Sequence, residues 1–252
     1  MISDKTLAIY FRSSLLPIFQ KSDTNQVAVL VSNEYEGFSK NGGIGTYYTA
    51  LSKKLREAGW YVILLLCQSE QKFQGESDVP ALDCIFSVAE VENVLILQTV
   101  HLSILSEAKS DYYYTYQSIC SLFFVQALSA AFPDAHIYVE FPDVNAFGYH
   151  TIQAKQAGLL PSNCITAVTI HGCFEWVFEA NDSLTKDPWL LLTAHREQQS
   201  FEKTDLAFFP SHFLKSTVKS YGWKTCQAKH MPYFVPIIFN QINSKIHENP
   251  VY

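Results

Sequence analysis

Residues 27–67 read VAVLVSNEYEGFSKNGGIGTYYTALSKKLREAGWYVILLLC, and they constrain the fold more than any other stretch. Val27–Ser32 is a short apolar run rich in β-branched side chains, the pattern of a strand buried on both faces. A polar loop follows and ends in Asn41-Gly42-Gly43-Ile44-Gly45. Ile44, Tyr48, Leu51, Leu55 and Ala58 then recur at alternating steps of four and three, which marks one face of a helix. Gly59 stands where a left-handed cap would stop that helix. Trp60–Cys67 supplies a second apolar strand. Strand, glycine-rich loop, helix and strand make a βαβ crossover, which implies a parallel sheet.

The loop is where chemistry can sit. Glycines let backbone N–H groups approach a ligand with no side chain in the way. The start of the next helix adds free N–H groups and a partial positive charge, and Lys40 brings a full charge to the same rim. An anion such as phosphate is the natural guest, although a turn that only closes the strand–helix corner uses the same glycines. The dinucleotide fingerprint G-x-G-x-x-G is not met, because Tyr48 takes the place of its third glycine. The Gly-Lys-Ser/Thr run of a P-loop does not occur.

Strands and helices alternate along the rest of the chain. Cys84–Phe86 and Val94–Leu97 read as short strands. A helix capped by Ser110 or Asp111 runs to about Phe132, where Pro133 ends it. His136–Glu140 is a strand with a carboxylate at its end, Tyr149–Ala157 a helix stopped by Gly158, and Cys164–Ile170 a buried strand leading into His171-Gly172. Asp187-Pro188 opens a helix to about Lys203, Leu206–Phe209 is a strand, and Pro210-Ser211 opens a last helix. The expectation is an α/β fold with a mostly parallel sheet covered by helices on both faces. Such sheets bind ligands beyond the C-terminal ends of their strands. Lys40–Gly45, Glu140–Asn145, His171-Gly172 and Ser211 all fall at such ends.

Composition removes several function classes. A net charge of −6 over 252 residues argues against nucleic-acid binding by bulk electrostatics. The six cysteines form no C-x-x-C pair and read as buried hydrophobes of a reducing, cytoplasmic compartment, without a disulfide framework or zinc site. No apolar run reaches the roughly 18 residues of a membrane helix; a membrane surface stays open as a partner without being indicated. No D-x-D pair occurs, which argues against a metal-dependent sugar transferase, and no cofactor is expected.

Lys40-Asn41-Gly42-Gly43-Ile44 after a first strand resembles the K-x-G-G-L/I loop of starch and glycogen synthases and of the wider glycosyltransferase family four. Three further blocks follow in the order that family has them. They are Glu140-Phe-Pro-Asp143 with Gly148-Tyr149 and Ala154-Lys155-Gln156-Ala157-Gly158-Leu159; Thr169-Ile170-His171-Gly172; and Phe209-Pro210-Ser211 with Tyr221-Gly222-Trp223. The resemblance covers roughly residues 27–236. It implies the N-terminal, acceptor-side half of a GT-B fold, two Rossmann-like domains with the sugar-nucleotide cleft between them. Residues 1–26 would be an arm, and residues 237–252 a tail or the start of a linker.

The resemblance also implies roles. Lys40, Gly42, Gly43 and Gly45 would lie near the donor phosphates, and His171 would face the donor sugar. Glu140 and Asp143 would hydrogen-bond acceptor hydroxyls or orient a proton acceptor, while Ser211 and Glu175 would line the cleft. The implied reaction moves a sugar from a nucleotide donor with retention at the anomeric carbon. The family's donor half carries two glutamates separated by seven residues, and no pair here has that spacing. With sixteen residues left after Pro236, the donor half is expected on a second domain or a partner chain. Phe234, Val235, Ile237, Ile238 and Phe239 would then be exposed where that partner docks. Two rival readings remain: a non-catalytic domain that binds a sugar or a partner protein, and a simple Rossmann nucleotide binder.

Overall fold

The computed structural model describes residues 24–37, 42–67, 86–91, 94–99, 113–183 and 185–233. Lys40 and the apolar run Phe234–Phe239 lie outside the described residues. Eight strands form one sheet: β1 (Gln26–Ser32), β2 (Tyr61–Leu66), β3 (Phe86–Val91), β4 (Val94–Thr99), β5 (His136–Pro142), β6 (Cys164–Thr169), β7 (Leu206–Phe209) and β8 (Lys229–His230). Their spatial order is β3-β4-β2-β1-β5-β6-β7-β8. Every neighbouring pair is parallel except β3 with β4. The expected α/β fold with a mostly parallel sheet is what the chain forms, and β1 lies inside it.

Among the described residues the α-helices are α1 (Gly43–Glu57), α2 (Tyr113–Ala131), α3 (Tyr149–Gln156), α4 (Phe174–Ala180), α5 (Pro188–Lys203) and α6 (His212–Ser220). The period-two alternation of β1 sorts its residues between two cores. Val27, Val29 and Val31 join the larger one, with Ile63 and Leu65 of β2 and with Cys120, Phe124, Val125 and Leu128 of α2. Ala28 and Leu30 join the smaller one, under Tyr47, Tyr48 and Leu51 of α1. From Val27 onward β1 is buried on both faces, as its unbroken apolar run requires.

The sequence signals hold at most element ends. Gly59 takes a φ of +85° just after α1. Asp187 caps α5, its carboxylate accepting from the Trp189 N–H at 2.9 Å, with Pro188 in the first turn. Helix α4 was not foreseen. It has seven residues, and its apolar positions Phe174, Val177 and Phe178 span less than two turns, too short a window to mark a helix. The described cysteines divide: Cys67, Cys120, Cys164 and Cys173 are buried, but Cys226 is exposed, and Cys84 lies outside the described residues.

Candidate functional site at the carboxyl rim of the sheet

Parallel pairing of β1, β5 and β6 brings their C-terminal ends to one rim. Helix α1 starts at that rim. Its N-cap, Gly42, has no side chain to cap the free N–H groups, so an anion is called for. The chain supplies its own. Glu34 Oε2 accepts from the Gly42 N–H at 2.9 Å and the Gly45 N–H at 3.3 Å. A Cβ on Gly42 would lie 2.8 Å from that oxygen, so a larger residue there would push the Glu34 carboxylate aside. Gly43, the first helical residue, faces open space. Ser32 Oγ fixes the approach, accepting from the Glu34 N–H at 3.1 Å and donating to the Glu34 carbonyl at 2.8 Å.

Glu140 lies elsewhere than at the rim. Strand β5 runs two residues past it, to Pro142. The alternation puts Tyr138 and Glu140 on the face covered by α1, while Ile137, Val139 and Phe141 enter the larger core. The carboxylate is fully buried and accepts from three hydroxyls: Tyr47 of α1 at 2.7 Å, Thr169 of β6 at 2.7 Å, and Tyr138. Burial pushes its pKa up, and the three donors pull the other way. No cation pairs with it among the described residues. Its oxygens are committed to holding α1 against the sheet.

Asp143 is also fully buried. Oδ1 accepts from the His171 N–H at 2.8 Å and Oδ2 from the Gly172 N–H at 3.3 Å. Desolvation raises its pKa to about 6, against the pull of those backbone donors. Gly172 sits at φ +150°, with the Trp176 ring 2.9 Å from where a Cβ would stand, so both backbone and space demand glycine. Asp143 thus shapes the β6 turn that carries His171. Glu197 of α5 does similar work beneath it. Fully buried, it accepts from the N–H groups of Asn145 and Phe174, each at 2.8 Å. Asn145 and Ala146 take left-handed φ values of 68° and 51° in the turn that Glu197 braces.

The His171 imidazole and the start of α1 share the rim. In place of an open cavity between them, the ring packs among three tyrosines. It meets Tyr47 edge-on at 4.9 Å, Tyr48 at 5.9 Å, and stacks on Tyr233 at 5.3 Å and 15°. Nδ1 lies 2.8 Å from the Tyr233 hydroxyl. Nε2 is buried and has no hydrogen-bond partner among the described residues. Burial lowers the pKa to about 3, so the ring is neutral at ordinary pH. Tyr48 Oη is likewise buried and unpartnered.

The remaining sequence candidates are placed apart from this ring. Ser211 caps α6, accepting from the Leu214 N–H at 3.2 Å. Glu175 accepts from the Trp223 indole N–H at 2.7 Å and so ties α4 to the turn after α6. Sequence reasoning missed Glu34, Tyr47, Glu197 and Tyr233, and Thr169 entered it only as part of a family block. Tyr138 shares a strand face with Glu140 and was findable by period two. Glu34 and Glu197 sit in polar stretches that look solvated, so nothing local marks them. A cavity of about 360 Å³ between α2 and Leu159–Pro161 lies at the opposite, N-terminal rim. Among the described residues no cluster of His, Cys, Asp and Glu could hold a metal, and no helix is long and apolar enough to cross a membrane.

This arrangement is similar to known proteins in fold. Sucrose-phosphate synthase from Thermosynechococcus elongatus superposes with a TM-score of 0.52 at 15% identity, covering 82% of this chain and 48% of that one. The catalytic domain of starch synthase IV from Arabidopsis thaliana, bound to ADP and acarbose, gives 0.53 at 13% identity, covering 83% and 52%. The chain therefore spans about half the length of each, and at such identities the likeness is one of fold. No curated protein matches the sequence. The family model described as the starch synthase catalytic domain matches residues 28–209, well over half of the chain. The blocks at the rim all lie within or beside that span, and the chain belongs to the starch synthase catalytic domain family.

Proposed function

We propose that this chain is the acceptor-side half of a retaining glycosyltransferase that moves a sugar from a nucleotide-sugar donor to a hydroxyl acceptor. Family membership supports sugar transfer, and the starch synthase structure that shares the fold holds ADP. The observation that most supports the reading is the buried Nε2 of His171 beside the start of α1, which has no partner among the described residues. A polar atom left without a partner in a dry site gains the full value of a hydrogen bond when a ligand arrives.

In this reading His171 Nε2 contacts a hydroxyl of the donor sugar. The Gly42–Gly45 backbone, with Lys40 from the same loop, faces the donor phosphates once Glu34 yields its place. Asp143 holds the His171 turn, and Glu140 holds Tyr47 against the ring. The half of the neighbours' length that this chain does not span would bring the rest of the donor site, as a second domain or a partner chain. Preorganised N–H groups and basic side chains, aimed at the leaving diphosphate, would supply the stabilisation of developing charge.

A second reading is favoured by one observation. Glu34 already fills the anion position at α1, which suits a non-catalytic domain that binds a sugar or a partner protein. Calorimetric titration with ADP-glucose, UDP-glucose and the free sugar separates the two. Binding of a nucleotide sugar that is lost in His171→Ala supports transfer. Binding of free sugar alone favours the second reading. Little or no turnover is expected of the 252-residue chain by itself; robust transfer would overturn the split of the donor site.

A further inference from the structure

We infer that Tyr233 is a positioning residue that fixes the His171 imidazole in its Nδ1–H tautomer, so that Nε2 meets a ligand as a hydrogen-bond acceptor. The sugar hydroxyl as that ligand rests on the function proposed above; the tautomer does not.

Tyr233 Oη stands near two groups, the Ile170 carbonyl oxygen at 3.3 Å and His171 Nδ1 at 2.8 Å. A carbonyl only accepts, so contact with it takes the single phenolic hydrogen. The phenol oxygen then presents a lone pair to Nδ1, which must carry a hydrogen to use it. The chain of donation runs from Nδ1–H to the Tyr233 oxygen and from the Tyr233 hydroxyl to the Ile170 carbonyl. Both contacts are satisfied at once, and Nε2 is left as a bare lone pair. In the opposite tautomer the phenol donates to Nδ1, the Ile170 contact loses its hydrogen, and an N–H points from Nε2 with no acceptor among the described residues. Orphaned buried N–H groups are rarer in proteins than under-satisfied acceptors.

The neighbours agree with this assignment. The Tyr47 hydroxyl donates to Glu140 at 2.7 Å, so its hydrogen is not free for Nε2. The Tyr48 hydroxyl is buried without a partner among the described residues, on a ring 5.9 Å from the imidazole centroid to centroid. An acceptor nitrogen suits a ligand that donates, such as a hydroxyl, and not a second acceptor such as a carboxylate or a phosphate oxygen. Tyr233 therefore selects for a hydroxyl indirectly, through the tautomer it imposes. It follows β8 closely, so the chain leaving the sheet edge returns across the rim to reach the histidine.

Ring-nitrogen NMR of the ¹⁵N-labelled full chain tests this without any ligand. Two-bond ¹H–¹⁵N correlations distinguish the tautomers, and the His171 signals are assigned by their loss in His171→Gln. The wild type is expected to show the Nδ1–H pattern. Tyr233→Phe keeps the stacked ring and removes the hydroxyl, and is expected to shift His171 towards Nε2–H. An Nε2–H pattern in the wild type, or a pattern unchanged in Tyr233→Phe with an otherwise native amide spectrum, overturns the inference. ADP-glucose titration is the second arm. Affinity should fall several-fold in Tyr233→Phe if the sugar reading also holds. The expected tautomer in a protein that binds neither ADP-glucose nor UDP-glucose keeps the role of Tyr233 and defeats the sugar reading alone.

Discussion

At the end of β5, Asp143 accepts from the N–H groups of His171 and Gly172; at the start of α1, Glu34 accepts from those of Gly42 and Gly45. Both carboxylates close a loop by binding two backbone donors, and both sit on the same rim. Asp143 is fully buried, and Glu34 is half-buried. The same chemistry then has different consequences. Water cannot replace Asp143, so the turn it shapes is part of the fold. Solvent or an outside anion can replace Glu34, so the contact it makes is exchangeable. The comparison separates the part of the rim that must stay fixed from the part that can open.

Asp143→Ala should give the largest loss, because two buried N–H groups are left without an acceptor. About 3 kcal/mol of unfolding free energy is expected, read from urea denaturation. A loss under about 1 kcal/mol would remove the contrast with Glu34.

Acid titration sharpens the same point through His171. Its folded-state pKa is depressed to about 3, below the ordinary value of about 6.5. As pH falls from 6.5 towards 3 the unfolded chain takes up a proton that the folded ring refuses, and stability is lost. Asp143 works in the other direction. Its folded pKa is raised to about 6, above the ordinary value of about 3.9. Its contribution is therefore fullest below pH 4 and declines as pH rises to 6. The two oppose each other between pH 4 and 6, and burial raises the pKa of Glu140 and Glu197 as well, so stability should gain more on acidification through that window in His171→Gln than in the wild type. Denaturant midpoints measured at half-unit steps decide it.

Tyr47→Phe tests the second buried carboxylate. One of three donors to Glu140 disappears, and about 1 kcal/mol should go with it. No change would mean that Tyr138 and Thr169 suffice to hold the charge. The smallest effect belongs to Glu34→Gln. The charge at the helix start is lost and an amide oxygen remains, so about 0.5 kcal/mol is expected at low salt. That loss should shrink further at high ionic strength; a cost as large as that of Asp143→Ala would erase the distinction between the two sites.

Much of the fold was legible. The apolar run Val27–Ser32 announced a two-sided burial that β1 shows, and the Asp187-Pro188 pair marked the start of α5. The site was legible as a set of strand ends and less so as a set of roles. Glu140 was read as the carboxylate at the end of a strand. The strand instead continues to Pro142, which turns that side chain beneath α1. Glu197 and Glu34 lie among polar neighbours and carry no local mark of what they bind. Tyr233 reaches His171 across 62 positions of sequence, a pairing that no window of residues contains.

By itself the sequence determined the architecture. Periodicity is set by which side chains avoid water, and it acts within a few residues. Two-sided apolar strands joined by an amphipathic helix have few other ways to bury their surface than a parallel sheet under helices. The order of family blocks from Lys40 to Trp223 was likewise written in the chain. The tertiary structure alone decided which polar groups would be spent on the fold and which left over. A carboxylate is held by whatever N–H or O–H donors converge on it, and those donors come from elements far apart in sequence. That convergence committed Glu140, Asp143 and Glu197 to scaffolding, put Glu34 where an outside anion was expected, and left His171 Nε2, among the described residues, without a partner in the wall of the rim.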